Sequence, residues 1–338
     1  MTIRLASAAI LLVAAFGATA AEPKSGGLPP LPKPVASFGA AAWDGYLYVY
    51  GGHVGKTHSY DTETVVGTFH RLKIDGGTHW EELPAGPRAQ GMNLVSHEGK
   101  IYRIGGMQPR NKPGDPADNH SLAECSRFDV KSGKWEELPA LPSGRSSHDV
   151  VVADNKLVVV GGWNMKGKSE KSVWHDTVQI LDLGAKTLKW EAAPQPFQRR
   201  ALTATAVGTK VYVLGGLGAD GKPTEIFDVA SKKWSQGPAI PLEGKKAMAF
   251  SPSAATVGDR IVVNTVAGPF YRLTTDGAGW EKAGAAESPR MVARLISTGD
   301  RSVLLVGGAS QAEGGTVRTI EAVKLAEKGE PVKPIEKK

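Results

Sequence analysis

Five times in this sequence a run of β-branched and aromatic residues stops at a glycine pair: YLYVYGG (46–52), KIYRIGG (100–106), KLVVVGG (156–162), KVYVLGG (210–216) and SVLLVGG (302–308). RIVVNTV (260–266) has the same apolar run, with Thr265-Val266 where the glycines are expected. The first doublet positions fall at 51, 105, 161, 215, 265 and 307, so the spacing runs from 56 down to 42 residues. A period of this size marks a chain built from repeated supersecondary units. Glycine permits backbone conformations and close approaches that a side chain forbids.

Other marks keep the same phase. Strands ending in Asp are followed by a short turn and a tryptophan: LKID before Trp80, SRFD before Trp135, QILD before Trp190 and EIFD before Trp234. YRLTTDGAGW ends in Trp280. Proline-rich exits follow, as in WEELPAGP (80–87) and WEELPALP (135–142). Each unit therefore reads as about four short strands bounded by turns. One such sheet cannot cover both of its faces. Radial stacking covers them, and the tryptophans supply apolar surface between sheets.

Apolar strand, Gly-Gly, variable loop, Asp-ended strand and tryptophan together resemble the kelch repeat, and the resemblance runs from about Pro34 to about Val323. It implies an all-β, six-bladed kelch-type β-propeller with four antiparallel strands per blade. Unit five lacks the doublet and unit six has no tryptophan after TIEAV (319–323). The second departure suggests a ring whose last blade is completed by a chain end. GGLPPLPKPV (26–35) resembles a blade exit, so residues near 22–30 are expected to close blade six as its outer strand, with EPVKP (330–334) as the alternative. The domain reading is a signal peptide at 1–20, an N-terminal segment at 21–33, the propeller at 34–329 and a solvated tail at 330–338.

MTIRLASAAILLVAAFGATA has a basic residue, an apolar stretch from Leu5 to Phe16 and the small-x-small triplet Ala18-Thr19-Ala20. This is a secretory leader, cut after Ala20, and it implies a periplasmic or secreted protein. No later stretch is long and apolar enough to span a bilayer. Cys125 is the one cysteine, so no intrachain disulfide forms, and its strand-like setting reads as a small buried residue. The net charge of +7 is spread along the chain with no basic run interleaved with aromatics, which argues against nucleic acid. It is compatible with anionic partners.

Basic residues recur in the lead-ins to the doublet-bearing hairpins. Arg88 and Arg290 lie 17 residues before a doublet, and Arg145 and Arg199 lie 16 before one. FQRRALT also carries Arg200, EGKKAMAF carries Lys245 and Lys246, and unit one offers only Lys33 and Ser37. The resemblance implies that these lead-ins surround the channel mouth, which makes Arg88, Arg145, Arg199 and Arg290 a candidate basic ring for an acidic ligand. The plainer alternative is that each pairs with an acid at a blade junction. His53, His148 and Trp163 join the candidate ligand-binding set, Trp163 as a platform for a sugar ring. Long insertions at 107–122 and 163–176 place any functional region toward blades one to three.

No histidine pair has metal-site spacing and no nucleophile motif is present, so no metal, cofactor or catalytic set is expected. Galactose oxidase joins copper chemistry to a kelch propeller, but here Cys125 lies within a repeat strand. Two function classes follow. The first is an exported monomeric module that binds an anionic glycan, an acidic sugar or a protein ligand through a basic face. The second is a periplasmic mutarotase or epimerase of the sialic-acid mutarotase kind, with Glu124 or Asp149 as the pocket acid.

Overall fold

A computed structural model describes residues 27–218, 224–242 and 249–332; the leader, Lys245 and Lys246 lie outside them. The described residues form no helix, only short antiparallel strands grouped as six blades. Blade 1 is Gly39–Trp43, Tyr46–His53, Val65–Lys73 and Glu81–Leu83, paired in that order. Blade 2 is Leu94–His97, Lys100–Ile104, Cys125–Asp129 and Lys134–Leu138. Blade 3 is Ser146–Ala153, Lys156–Asn164, Thr177–Asp182 and Trp190–Pro194. Blade 4 is Thr203–Val207, Lys210–Leu214, Thr224–Asp228 and Lys233–Gly237. Blade 5 is Ser253–Val257, Arg260–Asn264, Pro269–Leu273 and Trp280–Ala285. Blade 6 has three strands among the described residues, Arg294–Gly299, Ser302–Val306 and Ile320–Lys324.

The core is divided as radial stacking requires. Each neighbouring pair of blades encloses one apolar cluster, such as Val158, Val160, Val178 and Ile180 of blade 3 against Val211, Val213 and Phe227 of blade 4. The repeated tryptophan adds a directional bond to this packing. The indole N–H of Trp135 donates to the Pro84 carbonyl at 2.8 Å, Trp190 to Pro139 at 2.7 Å, Trp234 to Pro194 at 2.8 Å and Trp280 to Pro238 at 3.2 Å. Each proline belongs to the exit of the preceding blade, so tryptophan and Pro-rich exit are two halves of one joint. The polar tip of a packed indole needs such a partner.

Trp80 makes the same bond, at 2.9 Å, to Pro30. Residues 28–35 therefore occupy the exit position at the joint between blades 6 and 1. There Leu31 N–H donates to Arg318 and Val35 N–H to Val317, and Leu28 and Leu31 pack with Leu304, Ile320 and Leu47. Residues 27–30 form no strand, and 22–26 lie outside the described residues. The C-terminal alternative is corrected: Glu330–Pro331 adds to the outer strand of blade 5 through Glu281↔Pro331 and Lys282↔Glu330, not to blade 6.

Blade 5 dispenses with a doublet because only four residues join Asn264 to Pro269. A tight turn, with Gly268 N–H on the Thr265 carbonyl, closes that hairpin.

Candidate functional site

The lead-ins meet at one end of the central channel. Ser37, Gly91, Ser147, Ala201, Ser251 and Val292, one from each blade, all have left-handed backbones with φ between 46° and 63°. Gly91 N–H donates to Ser37 at 2.7 Å, Ser147 to Gly91 at 2.6 Å, Ala201 to Ser147 at 2.7 Å, Ser251 to Ala201 at 2.8 Å and Ser37 to Val292 at 3.1 Å. These five bonds join all six blades in a collar round the axis. Five non-glycine residues in this region carry strain of roughly 1 kcal/mol or more each, which the collar bonds and close packing hold in place. Ser147 is one of six equivalent positions.

Just inside the collar, Arg294 reaches across the axis. Its Nε donates to the Phe38 carbonyl at 2.8 Å, Nη2 donates to Met92 at 2.5 Å, and Nη1 lies 3.8 Å from Asp149. One side chain of blade 6 thus ties blades 1, 2 and 3. Asp149 is fully buried and accepts from the Val150 N–H, the Ala204 N–H and the Thr203 hydroxyl. It is a structural carboxylate, so its candidacy as a pocket acid is corrected. Beyond this latch a cavity of about 360 Å³ follows the inner strands, lined by Ala40–Ala42, Val150–Val152, Ala204, Thr205, Thr256 and Ser297 among others.

The expected basic ring is also corrected. Arg145, Arg199 and Arg290 are 1%, 1% and 3% exposed, and each is bound within its own blade. Arg290 Nη2 donates to Glu321 at 2.6 Å and Nη1 to the Thr319 carbonyl at 3.1 Å. Arg199 pairs with Glu225 at 3.2 Å and lies over Phe197. Arg145 donates to the carbonyls of Val159 and Thr177 and to the Thr177 hydroxyl. Pairing register puts Gln179 in blade 3 where Glu225 and Glu321 stand in blades 4 and 6. Arg145 accordingly has no carboxylate within ion-pair distance among the described residues. Arg88 alone of the four is exposed.

Two other candidates are interior. His148 is buried, with neither ring nitrogen hydrogen-bonded. His53 is buried, bonded to the Ser59 carbonyl at 2.8 Å and packed edge-on to Tyr60, so it organises its loop rather than facing a ligand. Trp163 is at the mouth, but one of its faces is covered. Arg200 lies 4.1 Å from its ring centre and 5.5 Å from that of Trp174. The two indoles meet edge to face at 6.0 Å, directly opposite each other in the Lys156–Asn164 and Val173–Trp174 strand pair.

The arginine pair of FQRRALT therefore splits. Successive residues of an extended chain point to opposite sides, so Arg199 enters the blade and Arg200 emerges at the mouth. Tyr60 of blade 1 is near enough to Arg200 to interact with its charge, and Gln90 of the blade 2 lead-in neighbours Tyr60. Arg200, noted in sequence as a lead-in residue but left out of the candidate set, and Arg294, which opens the inner strand of blade 6, are the mouth residues that sequence reading did not single out.

A kelch-motif family model matches residues 144–196, the blade 3 repeat. The structure called "Structure of YjhT" superposes with a TM-score of 0.67 over 88% of this chain and 99% of that one, at 15% identity. This chain is a kelch-repeat β-propeller. Kelch-like protein terF of Aspergillus terreus is 23% identical to it over 72% of this chain and 53% of that protein. Kelch-like protein 40 of Mus musculus is 29% identical over 62% of this chain and 32% of that protein. The match thus spans about a third to a half of these relatives.

Surplus positive charge inside blade 3 of this kelch propeller has a pH consequence. Burial, and then the nearby Arg145, depress His148 well below the usual imidazole value and bring His175 down to about 4. Burial lowers His53 as well. Between the unfolded value near 6.5 and these lower folded values, the unfolded chain binds protons that the native chain does not. Stability is therefore full above about pH 6.5 and falls as pH drops below it. His148 alone is expected to remove about 1.4 kcal/mol for each pH unit of descent. Urea midpoints measured from neutral pH down to about pH 5 check this, and His175→Gln should flatten the decline.

Proposed function

We propose that this kelch propeller is an exported binding module that docks a protein ligand on the collar face, where the connections 54–64, 107–122 and 163–176 stand. The observation that carries the reading is the mouth itself. Arg200, Trp163, Trp174 and Tyr60 come together there from three blades, with one cation and no bound acid among them. Long loops on a rigid scaffold are where binding residues concentrate. The lining of the channel behind the collar is made of small aliphatic and hydroxyl side chains, apart from Asn93, which suits packing better than sugar chemistry. Kelch propellers are typically protein-binding modules, and the leader-like N-terminus supports export.

A photo-crosslinking residue placed at Lys168 on the collar face, and in a separate variant at Lys131 on the opposite face, tests the docking surface in cells producing the full chain. Protein adducts from position 168 and none from 131 are expected. Adducts from 131 alone, or glycan adducts in place of protein, reject the reading. N-terminal sequencing of the same material should begin at Ala21 if the leader is cleaved.

A further inference from the structure

His148 stands between the two devices that close the axis. Ser147, before it, is the collar residue of blade 3, donating to Gly91 of blade 2 and accepting from Ala201 of blade 4. Asp149, after it, faces the Arg294 latch. The ring is 2% exposed, and neither of its nitrogens is hydrogen-bonded. It is wedged between two doublets. A Cβ on Gly105 of blade 2 would lie 3.3 Å from the His148 Cε1, and one on Gly162 of blade 3 would lie 2.7 Å from the His148 Cβ.

Such a ring fits while neutral and does not fit once charged. An imidazolium carries two N–H donors, and each needs an acceptor when buried. The Ile104 carbonyl of blade 2 faces the ring, but outside hydrogen-bonding geometry. The charges around it are mostly of the wrong sign: Arg145 from the blade 3 lead-in, His175 from the end of the 163–176 connection and Arg294 from blade 6. The acids nearby are engaged. Asp149 accepts from the Val150 and Ala204 N–H groups and the Thr203 hydroxyl, and Asp176 interacts with Arg145 and His175. Charging the ring in place would leave a buried cation without a partner, which costs more than breaking one hydrogen bond. One hydrogen bond is what the collar places between blades 2 and 3, and Ser147 is already strained there at φ 51°.

We infer that His148 is an acid trigger built into the collar: the state in which it carries a proton is one with Ser147 parted from Gly91, Arg294 released from Asp149 and the channel behind them open to the mouth. The proton comes from solvent, and the open state binds one more than the closed state. Open molecules therefore increase about 10-fold for each pH unit below the free imidazole value near 6.5 and stay rare above it. The trigger requires nothing of the ligand that docks on this face.

Amide hydrogen exchange followed by NMR on the full chain, from about pH 7 to about pH 5 and corrected for intrinsic rates, tests this. Protection of the Ser147 and Ala201 amides is expected to fall about 10-fold per pH unit below about pH 6.5. Low urea should leave these values unchanged, as a local opening requires. The Val159 amide, in the middle of blade 3, should keep higher protection and respond to urea. His148→Leu should make the collar values independent of pH, and His175→Gln should leave their fall in place. Collar protection that does not change with pH, that follows urea as Val159 does, or that falls equally in His148→Leu overturns the trigger. If the leucine variant does not fold, the imidazole nitrogen signals of His148 in the wild type decide. They should report a neutral ring throughout this range, and an imidazolium inside an intact collar overturns the inference.

Discussion

Arg290→Ala is expected to lower the free energy of unfolding by about 3–5 kcal/mol, because it leaves Glu321 as a buried carboxylate with its cation gone. The pair is almost wholly enclosed: Arg290 is 3% exposed and Glu321 8%. The guanidinium also caps the carbonyls of Ser288 and Thr319, and Glu321 receives the Glu287 N–H at 2.7 Å. Most of the loss is the penalty on what remains, not the worth of the pair. The double variant Arg290→Met with Glu321→Leu should therefore recover much of it, leaving roughly 1 kcal/mol for each backbone group stripped of its partner. Urea denaturation of the three proteins measures this. Binding at the mouth should persist in the double variant. An Arg290→Ala protein with unchanged stability and lost anion binding would return Arg290 to the ligand set and reject its role as an internal tie.

Why the architecture was legible and the mouth was not follows from the length scale of each signal. Doublets and tryptophans recur because each serves an identical joint: the indoles of Trp80, Trp135, Trp190, Trp234 and Trp280 all reach a proline carbonyl of the preceding exit. Five copies of one joint are visible against any background. The likeness of GGLPPLPKPV to a blade exit was legible too, since Pro30 fills the same place as Pro84 and Pro139. The arginines lie below that resolution. A shift of one residue along an extended lead-in reverses the side of the chain on which a side chain lies. Arg199 and Arg200 lie 16 and 15 residues before the same doublet, yet Arg199 is locked to Glu225 while Arg200 stands at the mouth. The available clue was the set of acids in the third strands. Glu225 and Glu321 sit at matching register, which anticipates an internal partner for Arg199 and Arg290 and leaves Arg200 without one. Arg294 had no such clue, because its partners are the backbone carbonyls of Phe38 and Met92, far away in sequence.

Gly105→Ala tests the doublet and should cost about 3 kcal/mol or more, while Gly99→Ala should cost only about 1–2 kcal/mol. Both glycines have left-handed backbones, at φ 56° and 74°. An added Cβ at Gly99 meets nothing within 4 Å, so that variant isolates the conformational penalty. At Gly105 the same atom lies 2.5 Å from the Arg145 carbonyl and 3.1 Å from that of Leu122. Neither can retreat easily. The Arg145 carbonyl accepts the Gly106 N–H at 2.9 Å, and the Arg145 N–H is bonded to that same Leu122 carbonyl. Relieving the clash means parting blade 2 from the lead-in of blade 3, two residues from the collar bond between Ser147 and Gly91. The difference between the two variants therefore measures the close approach of the blades, separately from backbone strain. Urea midpoints give that difference directly. Equal losses for Gly105→Ala and Gly99→Ala would show that the doublet serves the turn alone and that the blades do not depend on it for contact.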